Sequence, residues 1–229
     1  MSARTTPVYE AMPLDPPPPL ADDALITTAE EHVARLRSRR TVRKFRPDTV
    51  PEAAIRACIE AATLAPSGAN HQPWHFVAVR DAAAKARIRE AAEREEESFY
   101  AGGGGDEWLK ALEPIGTGPE KPHLTTAPWL IVVFAQRWGD DGNGGRRKNY
   151  YINESVGIAT GFLIQALHGC GLVSLTHTPN PMGFLNELLG RPVSEKPVMI
   201  LATGHPAADA TYPRAAAMRR PLDDTCTFV

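Results

Sequence analysis

Several groups of side chains in this sequence have the types and spacing to do chemistry. Arg39-Arg40-Thr41-Val42-Arg43 places three guanidiniums within five residues. These are permanently charged, planar donors suited to a phosphate or the edge of an electron-rich ring; a solvated basic helix end favoured by the helix dipole is the plainer alternative. Ala65 to Trp74, APSGANHQPW, is a tight polar connection. Its small residues let a ligand approach the backbone, and Ser67, Asn70 and Gln72 offer hydrogen bonds, although an ordinary turn would look similar. Glu96 and Tyr100 are four residues apart and so share a helical face. With Lys121 they supply a carboxylate for an ammonium, an ammonium for a carboxylate and a phenol, a set complementary to an amino-acid zwitterion. The bland reading is solvation, because Glu96 sits in the charged run Arg94 to Glu97 and an isolated lysine is usually at the surface. Ser174-Leu175-Thr176-His177-Thr178-Pro179 puts hydroxyls where a strand ends, with Pro179 turning the backbone. A histidine between two threonines there reads as structural rather than catalytic.

These groups need elements to hold them. Residues 1–26, with four consecutive prolines at Pro16 to Pro19, read as an extended arm or a disordered tail. A single domain is expected over 27–229. Thr28 with Glu31 fits a capping box, so the first helix is expected from Thr28 to near Arg39. A second begins at Pro51, with Ile55, Cys58, Ile59 and Ala62 on one face, and stops before Pro66. Trp74 to Val79 reads as a strand, Asp81 to about Tyr100 as a helix, Trp129 to Phe134 as a strand, and Tyr150 to His168 as a long apolar helix. Leu172 to Leu175 and Val198 to Ala202 read as two more strands. Gly102 to Gly105 and the segment 139–145 are expected to be mobile loops. Strands alternating with long helices predict an α+β fold, layered as in α/β proteins, with both sheet faces covered.

Bulk properties narrow the class. The 229 residues, 43% hydrophobic, can build one sizeable core. A net charge of −2 supplies no basic field for nucleic acid or an anionic membrane surface. Cys58, Cys170 and Cys226 lack CxxC spacing, which argues against a disulfide framework or a zinc site. No apolar run approaches a membrane span, and the expectation is a soluble cytoplasmic protein without a metal. Neither a Walker-type phosphate loop nor a GxGxxG after a strand is present, so a Rossmann dinucleotide site is unsupported.

The pairing of RRTVR with PSGANHQPW some 23 residues later resembles the flavin-binding signature of the nitroreductase superfamily. The stretch from REEESFY to KPHLTTAPWLIVVF resembles the lid and following strand of its iodotyrosine deiodinase branch. Arg219-Arg220-Pro221-Leu222-Asp223 is similar to the family's closing motif. The resemblance spans about residues 28 to 225 and implies a central mixed sheet flanked by helices in an intertwined homodimer with FMN at the subunit interface. It further implies that Arg39, Arg40, Thr41 and Arg43 contact the flavin, that Pro66, Ser67 and Asn70 lie near it, and that Arg219 reaches its phosphate. Thr176, His177 and Thr178 fall in a cofactor loop, with Thr178 near N5 as the catalytic position. Glu96, Tyr100 and Lys121, on a lid around 95–121, would hold the substrate's amino-acid end, with Ala69 alongside. The activity implied is reductive removal of halogen from a halotyrosine or related halophenol, with electrons from NAD(P)H or a reductase. The tetraglycine 102–105 departs from the bulkier, more polar lid of that branch. A nitro or quinone reductase using the same site is the nearest rival; a non-catalytic flavin-binding protein and the flavin-consuming benzimidazole branch are further ones.

Overall fold

The run Trp129 to Gln136 forms the central strand of the sheet in a computed structural model of the chain that describes residues 9–140 and 144–229. It is apolar without alternation because both its faces are covered. Trp129, Ile131, Val133 and Ala135 belong to one hydrophobic cluster, and Leu130, Val132 and Phe134 to the other, as a two-residue period requires. With β1 (Trp74–Val79), β2 (Trp129–Gln136), β3 (Trp138–Asp140), β4 (Arg146–Lys148), β5 (Val173–His177) and β6 (Glu195–Gly204), the main sheet has the order β1-β2-β6-β5. Its three pairings are all antiparallel. The mixed character expected of the sheet comes down to one isolated parallel bridge, Thr41 to Ser174, along the edge strand β5.

Helices cover the two faces. On one side, α2 (Glu52–Thr63) packs against α6 (Ile152–Gly169), burying Ile55, Cys58, Val156, Ala159 and Leu163. On the other, α3 (Ala82–Ser98), α5 (His123–Thr126) and α7 (Phe184–Leu188) contribute Ile88, Ala92, Leu124 and Leu185. The short α4 is Asp106–Leu112. Trp129 ties the sheet to the segment before α2 by donating its indole N–H to the Val50 carbonyl at 2.9 Å.

Residues 1–38 form one compact unit and 39–229 a second. Within the first, α1 runs Asp22–Ser38, so residues 22–26, expected in the arm, are helical. Asp22 and Asp23 mark its true start, where carboxylates favour the positive helix end. The expected capping box does not form, because Thr28 lies inside the helix and donates its hydroxyl to the Ala24 carbonyl at 2.8 Å. In the second unit, β5 and β6 extend beyond the expected Leu175 and Ala202. Gly139 and Asp140 lie in β3 and Arg146 in β4, a hairpin where only a loop was expected; residues 141–143 lie outside the described residues. None of the described helices is long and apolar enough to cross a membrane.

Candidate active site

The charged run at the end of α3 is not simply solvated. Glu93 and Glu96 are three apart, share a face, and both turn toward residues 117–121. Glu96 Oε2 lies 3.0 Å from Lys121 Nζ, and the two side chains are 13% and 4% exposed. Lys121 Nζ also donates to the Gly118 carbonyl at 2.6 Å and to Thr117 Oγ1 at 3.5 Å. Its backbone N–H donates to Glu93 Oε1 at 2.5 Å, an oxygen that also accepts from Arg89 Nε at 2.8 Å. The Tyr100 ring stands 5.4 Å from Lys121 Nζ, within cation–π range. Buried charges need partners, so the surface reading of this lysine and this glutamate does not hold.

Tyr100 sits in a π-helical turn, Phe99–Gly103, that extends α3. The tetraglycine has a local reason: Gly102 and Gly105 have φ of 119° and 73°, a region that disfavours side chains. Phe99 packs edge-on to Tyr100 and to Trp108 of α4. The turn and α4 thereby roof a cavity of about 200 Å³ lined on the polar side by Arg43, Glu96, Tyr100, Lys121, Thr176 and Thr178.

Strand alternation sorts the end of β5. Thr176 and Thr178 are exposed and His177 between them is buried. The His177 ring stands 5.3 Å from that of His123, edge-on, and His177 Nε2 lies 3.9 Å from Glu96 Oε1. Burial, then the cations Lys121 and Arg43, push the His177 imidazole down to about 3. Burial foremost, then His177 and Lys121, does the same to His123. Both rings are therefore neutral near pH 7.

The bridge from Thr41 to Ser174, with Val42 N–H donating to the Ser174 carbonyl at 3.3 Å, lays the arginine segment along β5 and delivers Arg43 to the cavity. Burial first, then the like charges of Arg219 and Arg40, holds Arg39 below its ordinary value. Burial lowers Arg43 as well, while Tyr100 acts in the other direction. Arg219 is exposed and donates to the carbonyls of Ala216 and Met218. Like charges collected in this way repel one another and fit a site for a dianionic phosphate group.

The connection before β1 is fastened elsewhere. Gln72 N–H donates to Ser67 Oγ at 2.9 Å, and Gly68 N–H to Ser155 Oγ, in α6, at 3.3 Å. Ala69, Asn70 and Gln72 have φ of 51°, 54° and 49°, strained for non-glycine residues. A Cβ on Gly68 would meet the Tyr150 carbonyl oxygen at 2.7 Å, so the turn sits directly against the entry to α6. Arg39, Arg40, Thr41, Pro66, Ser67, Ala69, Asn70 and Arg219 do not line the cavity. Within one chain the site residues thus fall into a set that lines the cavity and a set outside it. Residues on the lining that sequence reasoning missed include Phe99, His123, Leu112 and Ile115; of these, His123, two residues past Lys121, carried a signal.

Comparison with known proteins identifies the family. The family model described as Nitroreductase family matches residues 36–205. The chain is 47% identical to the iodotyrosine deiodinase of Haliscomenobacter hydrossis over 83% of its own length and 86% of the relative's. It is 41% identical to iodotyrosine deiodinase 1 of Homo sapiens, over 90% of this chain and 71% of the human one. A crystal structure of oxidized iodotyrosine deiodinase bound to FMN and 3-iodo-L-tyrosine superposes with a TM-score of 0.68 at 32% identity, covering 86% of this chain and 99% of the other. A protein that shares this much sequence with the deiodinases, along with their fold, belongs to the nitroreductase family, in the branch formed by the iodotyrosine deiodinases.

Proposed function

We propose that this chain binds FMN and reductively removes halogen from halotyrosines, releasing halide and tyrosine. The observation that carries the reading is the buried Glu96–Lys121 pair beside Tyr100, in the cavity that also holds Arg43, Thr176 and Thr178. An amino-acid zwitterion presents the same two charges in reverse, so it can exchange with the internal pair: its ammonium takes Glu96 and its carboxylate takes Lys121 and the Tyr100 hydroxyl. Such exchange keeps each charge matched after water is excluded, which a nitroarene or quinone cannot do.

FMN fits the residues present. Arg39, Arg40 and Arg219 would supply the cations for its phosphate, Thr41 and Arg43 would hold its chain and ring, and Pro66, Ser67 and Asn70 would flank it, with Ala69 toward the substrate. When bound, FMN supplies the two electrons which, with one proton, replace a carbon–halogen bond by carbon–hydrogen. Thr178 offers a hydroxyl at the strand end for hydrogen bonding to the flavin N5, with Thr176 and His177 in the same loop. NAD(P)H or a partner reductase is the electron source.

The separation of the cavity residues from those outside it suits a homodimer in which two chains complete each site. α6 exposes Ile158 and Phe162 at 42% and 40%, next to Gly157 and Gly161, where a Cβ would meet nothing within 4 Å. That surface allows close approach of a partner backbone. Cys58, Cys170 and Cys226 are free thiols, which suits a reducing cytoplasm.

The test is a flavin-fluorescence titration with 3-iodotyrosine and with a nitroarene. Quenching at micromolar iodotyrosine that is lost in Glu96→Gln, followed by release of tyrosine and iodide on anaerobic turnover with dithionite, supports the reading. A response to the nitroarene alone overturns it.

A further inference from the structure

His177 is a cavity group to which the proposed chemistry gives no contact with substrate. Its Nε2 is buried and makes no hydrogen bond to the described residues, and the residue as a whole is 7% exposed. Among the groups around it are the Glu96 carboxylate, with Oε1 3.9 Å away, and the His123 ring at 5.3 Å. That ring packs edge-on and holds the imidazole in place from the side. A buried polar nitrogen without a partner is costly, and the carboxylate oxygen beside this one is Oε1, which Lys121 does not occupy, since Lys121 pairs with Oε2.

We propose that His177 is a positioning residue for substrate, taking over from Lys121 as a hydrogen-bond donor to Glu96 when a zwitterionic ligand enters. The inference rests on the reading of Glu96 and Lys121 as the amino-acid clamp. Lys121 Nζ donates to Glu96, Gly118 and Thr117. A ligand carboxylate draws one of these donors away, and Glu96 is the partner whose negative charge it replaces. Glu96 then faces the ligand ammonium with one of its lone pairs newly open. A shift of about 1 Å brings Oε1 within hydrogen-bond distance of Nε2–H. The neutral imidazole donates without adding a positive charge beside the ammonium, which an arginine or lysine at this position could not do. His177 thus sets selectivity for ligands with an amino-acid end through its effect on Glu96.

The experiment is isothermal titration calorimetry of the FMN-loaded protein with 3-iodotyrosine and with 2-iodophenol, which lacks the amino-acid end. In His177→Ala, iodotyrosine affinity falls about tenfold to a hundredfold, the range for a hydrogen bond to a charged group, while iodophenol affinity is unchanged. His177→Gln, whose amide N–H reaches a similar distance, recovers most of the loss. Equal losses for both ligands, or no rescue by glutamine, overturn the inference. In the wild-type protein, the His177 Nε2–H resonance should shift downfield and slow its exchange with iodotyrosine but not with iodophenol. An unmoved signal overturns the inference even if the alanine variant does not fold. Glu96→Gln separates the two readings: if it leaves iodotyrosine binding intact, the clamp itself fails; if it abolishes binding while His177→Ala does not, only the role of His177 fails.

Discussion

Removing Lys121 should cost more stability than removing Glu96, although they form one ion pair. At 3.0 Å the Coulomb attraction is about 5 kcal/mol at an effective dielectric of about 20, and desolvation of both groups offsets much of it. What separates the two substitutions is the partner left behind. After Lys121→Met, the partner left nearest Glu96 among the ion pairs of the described residues is His177, whose Nε2 is beyond hydrogen-bond distance at 3.9 Å. This comes close to an unpaired buried charge and should cost about 3 kcal/mol. After Glu96→Gln, Lys121 keeps the Gly118 carbonyl at 2.6 Å and the Thr117 hydroxyl, and the loss should be about 1 kcal/mol. The double variant, with no charge to strand, should fall well short of the sum, with a coupling of about 1–3 kcal/mol. Urea unfolding of the four proteins measures all of this; in thermal melts Lys121→Met should lower Tm by roughly 6–12 °C for a domain of this size. Equal losses for the two single variants, or a double variant equal to their sum within about 0.5 kcal/mol, would refute the reasoning.

Arg39→Ala and Arg219→Ala should each weaken FMN binding to the apoprotein by about tenfold or more, with riboflavin, which has no phosphate, bound as before; equal losses for both flavins count against the phosphate role. The imidazoles of His123 and His177, held at about 3 against an ordinary 6.5, take up protons in the unfolded chain first. Their contribution is present above pH 6.5 and is lost as pH falls toward 3, at about 2 kcal/mol per histidine between pH 7 and 5. His123→Phe should flatten the dependence of urea midpoints on pH by one such share, and an unchanged slope would contradict the burial argument. The Cys58 thiol, pushed up to about 11 chiefly by burial and by its neighbour Cys170, should resist alkylation at pH 8 while exposed Cys170 and Cys226 react; peptide mass spectrometry showing equal labelling would sink that expectation.

Much of the fold was legible because its signals are local. The apolar run at Trp129 to Phe134 and the helical spacing of Ile55, Cys58 and Ala62 each identify one element, and their burial follows from which faces are apolar. The start of α1 was misplaced because Thr28–Glu31 imitates a cap, while the acidic pair at Asp22 marks the real start. The hairpin of β3 and β4 was missed because three-residue strands have too little pattern to register.

The site divides along the same line. The types and spacing in RRTVR and PSGANHQPW, and the shared helical face of Glu96 and Tyr100, are properties of the chain and could be named from it alone. Sequence order could not show that Lys121, 25 positions after Glu96, closes a buried ion pair with it, or that a single bridge to Ser174 carries Arg43 into the same cavity. Nor could it show that His177 turns away from Thr176 and Thr178 toward that carboxylate. Such contacts join residues distant in sequence, and their strength depends on how much water the surrounding packing excludes. Residue types and periodicity thus determined which groups are available for chemistry, and tertiary packing alone decided which charges lose their solvent and meet.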